Sequence, residues 1–248
     1  MSEYIKDIHT DYLQIDTPQM IEVDRLMMEE YHIELIQMME NAGRCLAILT
    51  RERIFQGDVE NRDIVVLAGT GGNGGGAMVA ARRLHGWGAK VHIAVTSNEE
   101  QFTPIPGHQY KILKQMGLPI GQLDTLDKAV KPDAIVDGII GYSLKGNPYG
   151  QAAEMISWAN SQNKPIISLD TPSGLDLTTG TLFNPVVKAT ATLTLAMPKV
   201  GLFQDMAKKV TGELYLGDIS VPTKLYQEKS LGLKATNIFR FSDVVRII

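Results

Sequence analysis

The hydrophobic positions of the chain follow two different rhythms. From Asp16 to about residue 50, Met20, Val23 and Met27, then Ile33, Ile36, Met39, Ala42 and Leu46, recur at spacings of three and four. That period predicts two amphipathic helices before any strand. Asp16-Thr17-Pro18 supplies a start signal for the first, a capping side chain ahead of a proline in the first turn. Beyond Arg62 the pattern changes to short apolar runs at 64–68, 91–95, 134–140, 166–169 and 189–196, alternating with helical stretches at 75–86, 107–116 and 150–162. Runs that are apolar on both faces belong to parallel strands covered by helices on either side. After Pro198 the pattern predicts another helix, a strand around 213–216 and a final helix near 222–230. The expected architecture is an α/β fold, a three-layer α/β/α Rossmann-like sandwich with a mostly parallel sheet, preceded by two amino-terminal helices. Ligands in such folds sit at the carboxyl ends of the strands.

Composition narrows this picture. With 248 residues, 44% of them hydrophobic, and no internal repeat or flexible linker, the expectation is a single domain over residues 1–248. The net charge of −4 and the scattered basic residues argue against nucleic acid as the main partner. Cys45 is the only cysteine, which removes intrachain disulfides and suits a reducing compartment. Residues 1–16 are polar and acidic, without the apolar run of a signal peptide, and no later stretch is long enough to span a bilayer. A cytoplasmic location is expected.

The chemistry gathers at three strand ends. The first is the run Gly69-Thr70-Gly71-Gly72-Asn73-Gly74-Gly75-Gly76, between the strand at 64–68 and a helix. A loop almost without side chains, opening a helix, offers unpaired N–H groups and the positive end of a helix dipole, to which a phosphate or pyrophosphate is suited. Gly69-x-Gly71-x-x-Gly74 meets the dinucleotide spacing, yet Thr96-Ser97-Asn98 stands after the next strand where a dehydrogenase places its ribose carboxylate. No Gly-Lys-Ser/Thr closes the loop, which excludes an ATP-binding P-loop.

The second strand end holds Asp137, a carboxylate interrupting an apolar strand. Buried there, it must be protonated, hydrogen-bonded or bound to a cation; capping a neighbouring turn is the plainer alternative. The polar loop Gly141-Tyr142-Ser143-Leu144-Lys145-Gly146-Asn147 follows it and is able either to fold over a ligand or to lie solvated. The third end is Leu169-Asp170-Thr171-Pro172-Ser173-Gly174-Leu175-Asp176, where Asp170 stands at the mouth of the sheet with Ser173 three residues on. A proton-transfer acid beside an oxygen ligand and a simple turn both account for these residue types.

Taken together, these segments resemble the NAD(P)H-hydrate epimerase family, the amino-terminal YjeF domain, which also includes the apolipoprotein A-I-binding protein of animals. Met38-Met39-Glu40-Asn41-Ala42-Gly43-Arg44 resembles the family's early helix motif, and the glycine run its Gly-Pro-Gly-Asn-Asn-Gly-Gly-Asp loop. Val136-Asp137-Gly138-Ile139-Ile140-Gly141 resembles the aspartate strand, and Asp170-Thr171-Pro172-Ser173-Gly174-Leu175-Asp176 the Asp-x-Pro-Ser-Gly-Leu-Asp signature. Pro198-Lys199-Val200-Gly201-Leu202 resembles the late Pro-Lys-x-Gly-Leu. The resemblance implies an isomerase that repairs nicotinamide cofactors, interconverting the S and R forms of hydrated NADH and NADPH. It implies a potassium ion at Asn73, Asp137 and Ser173, substrate contacts from Gly72, Asn73, Gly74, Gly75, Gly76 and the loop 141–147, and Asp170 as both a substrate contact and the proton-transfer group. It also implies a homodimer and a functional partnership with a separate NAD(P)H-hydrate dehydratase, since too few residues follow Ile219 to form one.

The glycine run departs from the family at Gly72 and Gly76, which stand where asparagine and aspartate are usual. Loss of a carboxylate at Gly76 is expected to remove a helix cap and a ribose or amide contact. The alternative reading is therefore a non-catalytic nucleotide-binding or scaffold protein on the same fold, as in a related domain of an mRNA-decapping scaffold.

Overall fold

The computed structural model of the chain describes residues 3–8, 11–126 and 129–247. Its strands are β1 (Ile5–Asp7), β2 (Asp63–Ala68), β3 (Lys90–Val95), β4 (Ile120–Gly121), β5 (Ala134–Gly138), β6 (Ile166–Leu169), β7 (Ala191–Leu195), β8 (Glu213–Gly217) and β9 (Val244–Arg246). They form one nine-stranded sheet in the order β1-β9-β8-β7-β6-β5-β2-β3-β4. Among the described strands, every pair is parallel except β8 with β9. Six strands fall where the apolar runs predict them, although the run at 134–140 leaves the sheet after Gly138. Three, β1, β4 and β9, are not anticipated by the pattern.

The helices are α1 (Thr17–Glu29), α2 (Leu35–Leu49), α3 (Gly72–Gly86), α4 (Pro104–Gln115), α5 (Gly150–Ser161) and the one-turn α6 (Lys208–Thr211). The start of α1 is fixed as its sequence suggests: Asp16 Oδ1 accepts from Gln19 N at 2.8 Å, and Gln19 Oε1 accepts from Asp16 N at 2.9 Å, a reciprocal cap. The helices predicted near 200 and at 222–230 are replaced by short 3-10 turns, Val200–Phe203 and Thr223–Gln227.

Strand β2 shows how the layers are made. Ile64, Val66 and Ala68 join a core with Met27 of α1, Leu46 of α2, Met78 of α3 and Leu113 of α4. Val65 and Leu67, pointing the other way, join Met155, Ile156 and Ala159 of α5. Side chains alternate across a strand, so an uninterrupted apolar run serves two helical layers at once.

Helices α2 and α3 approach closely because small residues face each other. A β-carbon at Gly43 would overlap Val79 Cβ and stand 2.5 Å from Gly76 O, and one at Gly75 would stand 2.6 Å from Met39 Cε. Gly43→Ala is therefore expected to push these helices apart, at a cost of about 1–3 kcal/mol from overpacking. Urea unfolding of the variant beside the parent checks this, and an unchanged midpoint would mean that the two helices slide apart freely.

Candidate active site

The strand order reverses between β2 and β5. From β2 the chain runs outward through β3 and β4, and from β5 it runs the other way through β6, β7 and β8. The carboxyl ends of β2 and β5 therefore diverge into a crevice, the place where open α/β sheets bind ligands. A cleft of about 830 Å³ occupies it. Its floor comes from the ends of β2, β5, β6 and β7, and α1 and α2 contribute Met20, Asp24, Leu35, Met38 and Met39 to its walls.

At the end of β2 the glycine run is largely the first turns of a helix. Gly71 is the N-cap of α3, with no side-chain cap, and Gly75 N donates to Gly71 O at 3.0 Å. The amides ahead of it are the orphan donors of a helix start. Gly74 is required by close approach, since a β-carbon there would collide with Gly69 O. Gly72, Asn73 and Gly74 line the cleft, together with Thr96 and Ser97 at the end of β3. Gly75 and Gly76 are buried and face helix packing instead, and they are not among the lining residues. The expectation of a lost cap at Gly76 is corrected by the same geometry. The helix begins at Gly72, which puts Gly76 in its second turn, where a β-carbon would stand 2.7 Å from Leu169 Cδ2.

Asp137 lies beneath the cleft, fully buried. Its Oδ2 accepts from Ser168 Oγ at 2.7 Å and Ser173 N at 2.9 Å. Its Oδ1 accepts from Ser173 Oγ at 2.6 Å and Ile139 N at 3.2 Å. Burial pushes the carboxyl above its ordinary range, opposed by the donors from Ser173, Ser168 and Ile139. Ser173, also buried, receives Ile140 N on its Oγ at 2.9 Å. Asn73 Nδ2 donates to Leu169 O at 3.1 Å. Asn73 Oδ1 accepts no hydrogen bond from the described residues.

Asp170 closes β6 in an unusual conformation. Its φ is +62°, and Thr171 N donates to Leu169 O across it at 2.8 Å, making a three-residue turn. Neighbouring β7 ends in the same way: Ala196 has φ +62°, and Met197 N donates to Leu195 O at 2.7 Å. Left-handed backbone at a non-glycine residue is sparsely populated and persists where the surroundings over-determine it. What holds Asp170 is Lys199, a residue that sequence reasoning treats only as part of a motif. Lys199 is wholly buried, and its Nζ contacts Asp170 Oδ1 at 2.6 Å, Leu195 O at 2.9 Å and Thr194 Oγ1 at 3.3 Å. Both members of this ion pair line the cleft.

The loop after β5 forms the remaining wall. Gly141, Tyr142, Ser143, Leu144, Lys145 and Asn147 line the cleft, and Gly146 does not. Asn147 Oδ1 accepts from Asn184 N at 3.0 Å, and the Tyr142 hydroxyl donates to Asp24 Oδ2 at 2.8 Å. Burial pushes Asp24 above the ordinary carboxyl range, eased by the Tyr142 hydrogen bond and by Lys199 and reinforced by Asp170. Asp24, on α1, is a second cleft carboxylate absent from the sequence-based site. Its neighbours at three and four residues along α1, Met20, Ile21, Met27 and Met28, are apolar, so a carboxylate interrupting that face was the signal available in the sequence.

Removing one partner of a buried pair strands the other charge. Lys199→Met is expected to destabilise the protein by about 3–5 kcal/mol, and Lys199→Met with Asp170→Asn to recover much of that loss. Urea unfolding of the two single variants and the double variant measures the coupling; additive losses would mean that the pair is not a unit.

The family described as YjeF-related protein N-terminus matches residues 35–201. A Dehalogenimonas lykanthroporepellens protein named NAD(P)H-hydrate epimerase is 41% identical over 218 residues, covering 88% of this chain and 86% of its own. A Moorella thermoacetica protein named bifunctional NAD(P)H-hydrate repair enzyme is 37% identical, over 85% of this chain and 41% of its own length. The crystal structure of the yeast protein ynu0 superposes with a TM-score of 0.79 at 22% identity, covering 95% of this chain and all of its own, which supports the fold. With a match that runs through Asp137 and Asp170 at the strand ends and a relative at this level of identity, the chain belongs to the YjeF-related amino-terminal family.

Proposed function

We propose that this chain is an isomerase that interconverts the S and R forms of hydrated NADH and NADPH, the activity in the names of its relatives. The observation that carries this reading is the buried Asp170–Lys199 pair on the floor of a cleft whose neighbouring wall is an uncapped helix start. The first handles a proton. The second receives a pyrophosphate through the amides of Gly72, Asn73 and Gly74, with Lys145 on the adjoining loop.

The hydrate is a cyclic hemiaminal, whose ring nitrogen can expel the adjacent hydroxyl if a proton reaches the leaving oxygen. Loss of water leaves an iminium-like ring. Return of water to the opposite face, with loss of one proton, gives the other epimer, so atoms and charge balance over the cycle. Asp170 is the group for this proton, with Lys199 holding its Oδ1 and Oδ2 left to the cleft. A positioned group of this kind contributes typically about 10²–10⁴ in rate.

Amide, carboxylate and hydroxyl oxygens from Asn73, Asp137 and Ser173 have the chemistry of a potassium site. The fit is best at Asn73 Oδ1, which has no donor among the described residues, whereas Asp137 already has its burial answered by hydroxyls and amides. When bound, the ion would supply fixed positive charge near the phosphates. The scaffold alternative rests on Gly72 and Gly76; Gly76 is packed between Leu169 of β6 and Ala42 of α2 and does not itself line the cleft, which weakens that half of the alternative, whereas Gly72 does line it.

Around this activity we place a homodimer in the cytoplasm, working together with an NAD(P)H-hydrate dehydratase activity. The name of the bifunctional relative supports the link to a second repair activity, and the lone buried Cys45 suits a reducing compartment. Among the described residues no helix is long and apolar enough to cross a membrane.

Chromatography of the two hydrate epimers is expected to show faster equilibration with this protein than without it, and Asp170→Asn to slow it by about 10²-fold or more. Equilibration at the spontaneous rate would remove the epimerase reading. For the ion, potassium is expected to raise the melting temperature over a large organic cation, and Asp137→Asn to abolish the difference. Equal melting in the two cations would remove the potassium site.

A further inference from the structure

We propose that Asp24 is a second catalytic group, serving the face of the substrate ring turned away from Asp170. This rests on the epimerase reading above. Inverting the hydroxylated carbon requires a hydroxyl to depart from one face and water to arrive at the other. Asp170 is poorly suited to serve both, because its backbone is fixed in a tight left-handed turn and its Oδ1 is bound to a buried lysine. A single immobile carboxylate would need the ring to turn over within the cleft.

Asp24 removes that need. It reaches the same cleft from α1, an element separate from the sheet that carries Asp170. Its Oδ2 is oriented by the Tyr142 hydroxyl at 2.8 Å, and its Oδ1 has no partner among the described residues. The groups whose charges bear on it from the surrounding elements are Tyr142 on the loop after β5, Asp170 and Lys199 at the ends of β6 and β7, and Tyr226 on the 3-10 turn 223–227. Desolvation, the leading influence on Asp24, makes it retain a proton at higher pH than an ordinary carboxyl. That suits a general acid.

In one direction the Asp24 carboxylic acid gives its proton to the hydroxyl oxygen, the C–O bond breaks, and the nitrogen lone pair forms the C=N bond. Water then adds to the opposite face, the C=N electrons return to nitrogen, and the proton lost by that water passes to the Asp170 carboxylate. Asp24 ends deprotonated and Asp170 protonated; exchange of these protons with solvent after product release resets the pair for the next turnover, and the reverse epimerisation uses the two groups in exchanged roles.

The test is the steady-state kinetics of Asp24→Asn and Tyr142→Phe on the separated hydrate epimers, with pH profiles of kcat and melting curves to establish folding. Asp24→Asn is expected to lower kcat by about 10²-fold or more, to change KM by less than about threefold, and to lose the alkaline limb of the profile. The sign of that limb follows from the role: an acid fails as pH rises through its pKa. Tyr142→Phe keeps the carboxylate but removes a hydrogen bond that favours its ionised form. It is expected to cost less than about tenfold and to move the limb to higher pH. Should Asp24→Asn fold poorly, Asp24→Ala with added formate replaces it, and partial rescue of kcat is expected. Parent-like kcat in Asp24→Asn, or equal losses and no shift of the limb in Tyr142→Phe, would overturn the proposal. The second result would make Asp24 only an anchor for the loop. Either outcome leaves the epimerase reading standing, whereas a parent protein that fails to epimerise the hydrates defeats both.

Discussion

A carboxylate without water has to be met by something, and the demand of Asp137 organises the floor of the cleft. Its two oxygens take donors from β6 through Ser168, from the turn after β6 through Ser173, and from the turn after its own strand through Ile139. Ser173 then reaches on to Ile140. Two segments distant in sequence, the end of β5 and the end of β6 with its following turn, are thereby held in one register by a single side chain. Each unmade bond would leave a buried polar group at a cost of about 1–3 kcal/mol, so the arrangement tolerates little displacement. The glycine run and the left-handed turn at Asp170 sit on this framework.

The cleft combines a rigid floor with a built-on roof. The floor is sheet, with the Asp170–Lys199 pair locked between β6 and β7, whose ends turn in the same way at Asp170 and Ala196. The roof is assembled from α1, α2 and the loop 141–147, joined where Tyr142 meets Asp24. Buried hydrogen bonds and ion pairing are thus concentrated at the strand ends, and contacts between helix and loop at the wall.

Much of this was legible in the sequence, for reasons that can be stated. Strands buried on both faces have to be apolar throughout, so β2, β3 and β5 to β8 announce themselves. Strands β1 and β9 do not, because each is three residues long and β1 pairs with β9 across more than two hundred residues, while β9 is tied to the rest of the sheet through β8. Asp137 and Asp170 were readable because a carboxylate ending or breaking an apolar strand is conspicuous. Lys199 was not, since a lysine ordinarily belongs to the surface and its burial depends on a partner that only the folded sheet supplies. The glycine run misled in part. Its composition describes a phosphate loop, but the structure divides it between open amides at Gly72 to Gly74 and tight packing against α2 at Gly75 and Gly76.

The roof has a consequence for the order in which the molecule is completed. Helices α1 and α2 leave the ribosome before any central strand, yet the wall they form faces Asp170, Lys199 and Ile219 from the later part of the chain. Until those residues have been made and β7 and β8 have paired, the apolar faces of both helices lack their final cover. β1 waits longer still, because its partner is β9 near residue 246. A nascent chain halted after β5 would therefore carry the glycine helix and Asp137 but no ion pair and no closed cleft, leaving exposed hydrophobic surface for chaperones to bind.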